Sequence, residues 1–246
     1  MIKTAYHMNF LHYASLACLL PLYYVGTWQH WMGVLLVYTL LQLGCTVGYH
    51  RLATHRGFKT NKFTEYLLIT LGGLALQSSL LSWKSAHLNH HRHSDKEGDT
   101  HSPVHKGLLN CIFNLALVMD DFPKREKQKR VLMYCKHELK DSFYKFQHEY
   151  YFHIFYAVVF TLFCINYKWM LIYLSAAGIS KLMMSMIASF SHRGGYPHED
   201  NWLGVISFGE GWHTRHHIRP KDVVWGKYDL GGWVIGAIRN DNGDKQ

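Results

Sequence analysis

W-K-S-A-H-L-N-H-H-R-H-S-D-K-E-G-D, residues 83–99, places three histidines at i, i+3 and i+4: His87, His90 and His91. On a helix that spacing sets all three imidazoles on one side, aimed at a common volume, as a metal ion requires. Two other stretches repeat the theme. Gly48-Tyr49-His50-Arg51-Leu52-Ala53-Thr54-His55-Arg56 contains H-x4-H, and Gly209-Glu210-Gly211-Trp212-His213-Thr214-Arg215-His216-His217 contains a second H-x-x-H-H. Of the 19 histidines in 246 residues, eight fall in these three boxes, and solvated helix faces do not repeat such spacing by chance. The fold has to bring three separated segments to one place.

Long apolar stretches flank the boxes. Asn9–Thr27 and Trp31–Tyr49 hold no charged residue, and each approaches the ~20 residues that cross a hydrocarbon core of ~30 Å. Phe152–Asn166 and Trp169–Phe190 form a second pair, interrupted only by Lys181. A soluble bundle could bury such helices, and Phe152–Asn166 is short. The close pairing and the terminal aromatics Tyr23, Tyr24, Trp28, Trp31 and Trp169 favour a bilayer instead. The mean hydropathy of −0.12 averages these spans with a polar remainder. The sequence predicts an all-α membrane protein with four transmembrane helices, near residues 9–27, 31–49, 152–166 and 169–190. One domain covers 1–246, with a cytosolic helical cap from 50–151 and 191–246.

Charge sets the orientation. If the chain starts inside, the outward links Trp28–His30 and Tyr167–Lys168 hold one basic residue, Lys168. With Lys181 inside a span, 24 of the 26 Lys and Arg fall on the other side, which is the positive-inside pattern. The protein is thus expected to be integral to the membrane and multi-pass, with its boxes on the cytosolic face. A net charge of +9 then requires no nucleic acid partner. The run Lys124–Arg130 reads as a solvated helix face. Five cysteines without a C-x-x-C pair suggest neither a disulfide frame nor an iron-sulfur site. The apolar N-terminus lacks a small-residue cleavage site and reads as a retained span.

Span two runs straight into His50, and span four ends at Phe190 and delivers His192-Arg193, which makes His192 a ninth candidate ligand. The apolar Tyr66–Trp83 is expected in the interface or under the cap, because a crossing there would put boxes one and two on opposite sides. His50 and His55 lie about 140° apart on an α-helix, so either the helix ends between them or they address different metals. Asp95, Asp99 and His101 are placed to orient ligating imidazoles through their second nitrogen. Gly107–Met119 reads as an amphipathic or interfacial helix and Asp120–Gln147 as cytosolic helix, while the tail from Arg219 suggests only packing. Nine neutral nitrogens exceed what one zinc takes and suit two metals, with iron, copper, nickel and zinc all compatible with imidazole. Soluble carboxylate sites need Glu-x-x-His twice, and only Glu210 to His213 fits. A histidine centre beside hydrocarbon points to oxidation of an unactivated, lipid-like chain.

In this order the boxes resemble those of the integral-membrane fatty acid desaturases, specifically the first-desaturase group that includes stearoyl-CoA desaturase. The resemblance rests on G-Y-H-R-L-A-T-H-R at 48–56, H-L-N-H-H at 87–91, D-T-H-S-P at 99–103 and G-E-G-W-H-T-R-H-H at 209–217, and covers nearly the whole chain. It implies two iron ions bound by His50, His55, His87, His90, His91, His192, His213, His216 and His217, with O2 as co-substrate. Trp83, Glu210 and Trp212 join Asp95, Asp99 and His101 behind the ligands or beside the substrate. The implied reaction introduces a cis double bond, commonly Δ9, into a long saturated chain carried by coenzyme A, a lipid or acyl-carrier protein. Without an H-P-G-G haem segment, electrons are expected from a separate carrier of the cytochrome b5 or ferredoxin type. The implied location is a bacterial inner membrane or the endoplasmic reticulum.

The chain departs from the family pattern at several positions. Leu88 replaces an Arg, Thr214 an Asn, Ala188 an Asn four residues before the lone histidine, and Thr100 a Pro. Ser85 replaces a basic residue that grips coenzyme A in animal enzymes, and Cys111–Leu115 replaces S-H-x-G-W. These changes fall mainly on headgroup contacts and spare the histidines. A membrane hydroxylase with similar boxes is the nearest alternative. A histidine-lined metal transporter would place its ligands near the bilayer midplane, not at span ends.

Overall fold

In the computed structural model, which describes residues 4–240, those residues form helices and no strand, with one isolated bridge between Glu199 and Trp212. The first two helices are α1 (Thr4–Ala17) and α2 (Leu19–Val25). Pro21 has no N–H to offer the carbonyl of Ala17, so the apolar run 9–27 is interrupted at Cys18 instead of forming one rod. A capping box at Thr27 starts α3 (Trp28–Leu43), with His30 Nδ1 accepting the Thr27 N–H at 2.9 Å.

Without a break α3 passes into a π-helix, Gly44–Thr54, which carries box one. Against it packs α4 (Lys62–Leu74), almost backbone to backbone. A Cβ at Gly44 would sit 2.3 Å from Gly72 N, and one at Gly48 2.8 Å from Leu68 O, so the G-x-x-x-G spacing seats the helix that presents His50. The chain then reverses through Leu76 and Ser78, both at positive φ, and Ser79 caps α5 (Leu80–His93), the helix of box two. Tyr66–Trp83 therefore folds back on itself as two helices.

After the short α6 (Pro103–Lys106) and a turn at Gly107 (φ 84°), the single helix expected over 107–119 is divided by a kink at Asn114 into α7 (Leu108–Phe113) and α8 (Leu115–Asp120). The polar stretch 120–147 is likewise not one helix. It forms α9 (Lys124–Tyr134), a 3₁₀ turn at Glu138–Lys140 and α10 (Ser142–Glu149). After a 73° bend comes α11 (Tyr151–Ile165), then α12 (Tyr167–Phe190), with Asn166 capping its start. Three short helices complete the chain: α13 (Asn201–Ile206), α14 (His213–Ile218) and α15 (Leu230–Ile238).

Among the described residues, Trp28–Thr54 and α12 are each long and apolar enough to cross a bilayer, and the bent α10–α11 pair qualifies if taken as one span. Of the four spans expected from composition, two are thus continuous helices and one is a bent pair, while the first, interrupted at Cys18 into α1 and α2, is neither. Their outward residues include Leu20, Tyr23, Tyr24, Leu35, Leu36, Phe160 and Phe163, all exposed. Exposed apolar side chains in such number on helices of this length are what a bilayer-embedded segment presents. Inward, α1, α2, α3 and α11 pack around α12 and bury Leu22, Val34, Leu41, Phe155, Ala176 and Ala177. The two long helices deliver His50 and His192 to the same end of the molecule, where α5 and α14 meet them.

Candidate metal centre

Nine imidazoles converge at that end in two groups. His50, His55, His87, His91 and His216 form the first, and His90, His192, His213 and His217 the second, with ligand atoms in each group within 4.8 Å of one another. In the first, Nε2 of His87 lies 2.9 Å from that of His50, 3.0 Å from His55 and 3.0 Å from His91, and His216 lies 2.8 Å from His91. In the second, His192 Nε2 lies 3.1 Å from His90, 3.0 Å from His213 and 3.2 Å from His217. Two nitrogens held ~2.0–2.1 Å from one ion, at right angles, would be about 2.9 Å apart. The spacing fits two metal ions, one per group.

The π-helix decides how His50 and His55 come together. Because its hydrogen bonds run i to i+5, residues five apart return to nearly the same side. The N–H of His55 bonds the carbonyl of His50 at 3.0 Å, and their rings are 4.9 Å apart, both in the first group. Of the two alternatives the spacing left open, the structure fits the first: the helix ends at Thr54, before His55, and both rings fall in one group.

Second nitrogens fix the rings. His50 Nδ1 donates to Glu210 at 2.5 Å, His192 Nδ1 to Asp95 at 2.6 Å and His90 Nδ1 to Asp99 at 2.9 Å, while His213 Nδ1 reaches the carbonyl of Glu210 at 3.2 Å. A proton held at Nδ1 leaves the Nε2 lone pair facing the group, and lone pairs facing at 3 Å call for a cation. Glu210 also accepts the hydroxyl of Thr46 and is not itself among the clustered ligand atoms. His216 Nδ1 is buried without a partner. His101 bonds Thr100 and stacks on the His90 ring at 4.2 Å, so Asp99 supplies the hydrogen bond to His90. Trp83 stacks on His87 at 4.8 Å, whereas Trp212 lies under α13, against Gly204 and Gly226.

Burial, followed by the crowding of neighbouring imidazoles, holds His55, His87, His90, His213 and His216 well below the ordinary histidine range, and pushes His91 down to about 3. Burial alone would raise Glu210 and Asp95. Their partners His50 and His192 outweigh it and keep both carboxyls below the usual range. Neutral imidazoles backed by carboxylates are the protonation states that metal binding needs.

Three residues behind the first group carried no signal in the spacing of the boxes. Arg51 is fully buried, pairs with Asp229 at 2.9 Å, donates to the carbonyl of Val223 at 2.7 Å and lies 3.9 Å over the Trp225 ring. Trp225 in turn packs on His216 at 4.5 Å and His50 at 5.1 Å. The C-terminal segment therefore closes one wall of the centre and does more than pack against the surface. On another side Lys84 is buried, with Nζ 2.6 Å from the carbonyl of Ala53 and 2.8 Å from Glu138, and so ties box two to box one. A buried lysine or arginine inside a motif is legible only once its distant acid is located.

Fold and site together define, among the described residues, an all-helical protein with two or three helices apolar enough to cross a bilayer and a histidine-rich centre at their end. The sequence profile described as fatty acid desaturase matches residues 26–230. The Delta-9 acyl-lipid desaturase 2 of Arabidopsis thaliana is 32% identical over 90% of this chain and 75% of its own length. The sn-1 stearoyl-lipid 9-desaturase of Anabaena variabilis is 29% identical over 89% of this chain and 84% of its own. The icosanoyl-CoA 5-desaturase of Limnanthes douglasii is 28% identical over 97% and 69% respectively. The chain belongs to the fatty acid desaturase family and is an oxidoreductase of fatty acyl chains.

Proposed function

We propose that this protein is an O2-dependent desaturase that places a cis double bond at the Δ9 position of a saturated, lipid-linked acyl chain. The observation that carries the reading is the convergence of nine Nε2 atoms in groups of five and four. On this reading all nine histidines are ligands to two irons, with Glu210, Asp95 and Asp99 fixing their tautomers and Trp83, Arg51 and Trp225 shielding the first group. Bound there, the irons would supply O2 activation and hydrogen removal from unactivated methylenes. The protein's own part is to hold the imidazoles neutral, to keep protons on Nδ1 and to exclude bulk water from the buried rings.

Several observations support the finer points. Two of the relatives described above are named for acyl-lipid or stearoyl-lipid substrates and position 9. Ser85 stands where a coenzyme A contact would be basic, which favours lipid-linked chains over acyl-CoA. The placement of 24 basic residues on one side argues for four crossings with the centre on the cytosolic face and 1–246 acting as one domain. Electrons come from a separate carrier. The test is expression of the full chain in cells fed saturated fatty acids, with double-bond location by mass spectrometry and metal analysis of the purified protein. A Δ9 cis-alkene and about two irons per chain are expected. An alcohol would identify a hydroxylase, and one metal or none would overturn the reading.

A further inference from the structure

Where α10 meets α11 at the 73° bend, the two helices and α4 enclose an apolar cavity of about 230 Å³. Leu74, Phe143, Phe146, Ile154 and Phe155 form most of its walls. Among the described residues, its three polar side chains all have partners elsewhere. Thr70 Oγ1 donates to the carbonyl of Tyr66 at 2.8 Å, and Tyr151 Oη donates to the carbonyl of Gly73 at 3.0 Å. Gln147 gives its amide to Tyr49 Oη at 2.7 Å and accepts the N–H of Leu80 at 3.0 Å. A water needs several polar partners and would find them here only by breaking these bonds, so the cavity favours an apolar guest.

The surface around its mouth identifies that guest. Phe146 is 54% exposed at the rim, and Phe63 (77%) and Leu67 (49%) recur on the same face of α4 as Thr70 and Leu74, so an apolar strip leads outward. Along α11 the exposed Phe160 and Phe163 belong to a bent span. The opposite face of α10 shows Lys145, His148 and Glu149 to solvent. A short helix turned aside from a span, apolar on one face and charged on the other, lies in the plane of the headgroups. The cavity then opens at the depth where the acyl chains of that leaflet begin. Its volume, that of about eight waters at about 30 Å³ each, suits a run of methylenes and not a headgroup.

We infer that this cavity binds one acyl chain of a phospholipid in the leaflet nearest the histidine centre. The chain it holds is not the reacting one, because side chains stand between the cavity and the imidazoles. Gln147 bonds Tyr49, Tyr49 lies 5.8 Å from Trp83, and Trp83 stacks on His87 at 4.8 Å. The same residues link the site to the centre. Leu76 and Ser78, both at positive φ, form the reversal that leads into α5. Gln147 holds it through the N–H of Leu80, Tyr151 Oη through the N–H of Ser78 at 3.3 Å, and Tyr49 Oη through the carbonyl of Ser78 at 2.9 Å. A seated chain therefore braces the helix that carries His87, His90 and His91. The inference rests on the membrane reading of the apolar helices and not on which reaction the centre performs.

The test places the full chain in phosphatidylcholine nanodiscs doped with a phosphatidylcholine whose sn-2 chain carries a mid-chain diazirine. After photolysis, peptide mass spectrometry should find lipid on residues 70–74 and 151–155 as well as on the exposed Phe160 and Phe163. Thr70→Phe and, separately, Ile154→Trp fill the cavity with protein. Each should cut labelling of 70–74 and 151–155 at least fivefold and leave Phe160 and Phe163 labelled as in the wild type. In lipid-free detergent the wild type should lose bound metal at least fivefold faster than in discs, and the filled variants should lose it more slowly than the wild type. No label in the cavity of the wild type, or unchanged label there in both variants, would overturn the inference. A crosslink between two copies across the mouth would assign it to a second chain and also overturn it. Equal metal loss in the wild type and both variants would break the link to box two. Label missing from Phe160 and Phe163 as well would overturn the membrane reading along with the site.

Discussion

The two imidazole groups are held in opposite ways. The group of four takes its acids from the turn that follows α5. Asp95 and Asp99, four residues apart, grip His192 and His90, and Asp99 also accepts the N–H groups of Asp95 and His101. The group of five relies on distant partners. Glu210 reaches His50 across 160 residues, and Arg51 reaches Asp229 across 178. The local arrangement is preorganised by a single turn, whereas the distant one exists only when the tail has docked. It follows that the five-imidazole group should be the more sensitive to the integrity of the whole fold, and the four-imidazole group to changes within residues 94–101.

The largest expected effect is removal of a ligand from either group. His90→Ala and His50→Ala should each abolish alkene formation and lower bound iron while leaving membrane insertion intact; full activity in either would remove that residue from the centre. Next is a contrast between two His-Arg pairs. Arg51→Met leaves Asp229 buried and unpaired and should cost about 3–5 kcal/mol, read by thermal unfolding. Arg193, about half exposed and paired with Asp200 at 3.0 Å, should cost under ~1 kcal/mol as Arg193→Met. Similar losses would erase the distinction between local and distant support.

Smaller effects refine the contrast. Asp95→Asn and Glu210→Gln each remove a carboxylate behind a ligand and should lower metal affinity or activity by about 10–100-fold. Iron should be lost from the group of four in the first and from the group of five in the second, which single-site spectroscopy distinguishes. The gentlest probe is pH. Histidines held below their unfolded value of ~6.5 stay neutral in the fold while the unfolded chain takes up protons, so stability should fall as pH drops below ~6.5 and be unaffected above it. Unfolding temperatures at pH 7.5, 6.5 and 5.5 would show this, and a flat profile would contradict the lowered histidines.

Part of this architecture is legible in residue order because it is local. H-x-x-H-H needs only a helix to place three rings on one side, and α5 is that helix, although His87 and His91 join the group of five and His90 the group of four, not one common volume. Charge-free apolar runs announce helices in lipid, since unpaired backbone there is too costly for any open alternative. The breaks at Cys18 and Asn114 were less visible, because Pro21 acts on a carbonyl four residues away and Asn114 bonds Asn9 on a distant helix.

By itself, then, the order of residues determined the helical class, the apolar segments, the histidine spacing and the family to which the chain belongs, all consequences of interactions within a few residues. Only the tertiary structure decided that His50 and His55 share one group, because a π-helix can form where Gly44 and Gly48 let α4 approach. It alone also paired Glu210, Asp95 and Asp229 with His50, His192 and Arg51. Contacts that join residues some hundred to 180 positions apart depend on how the helices pack, and no spacing along the chain encodes them.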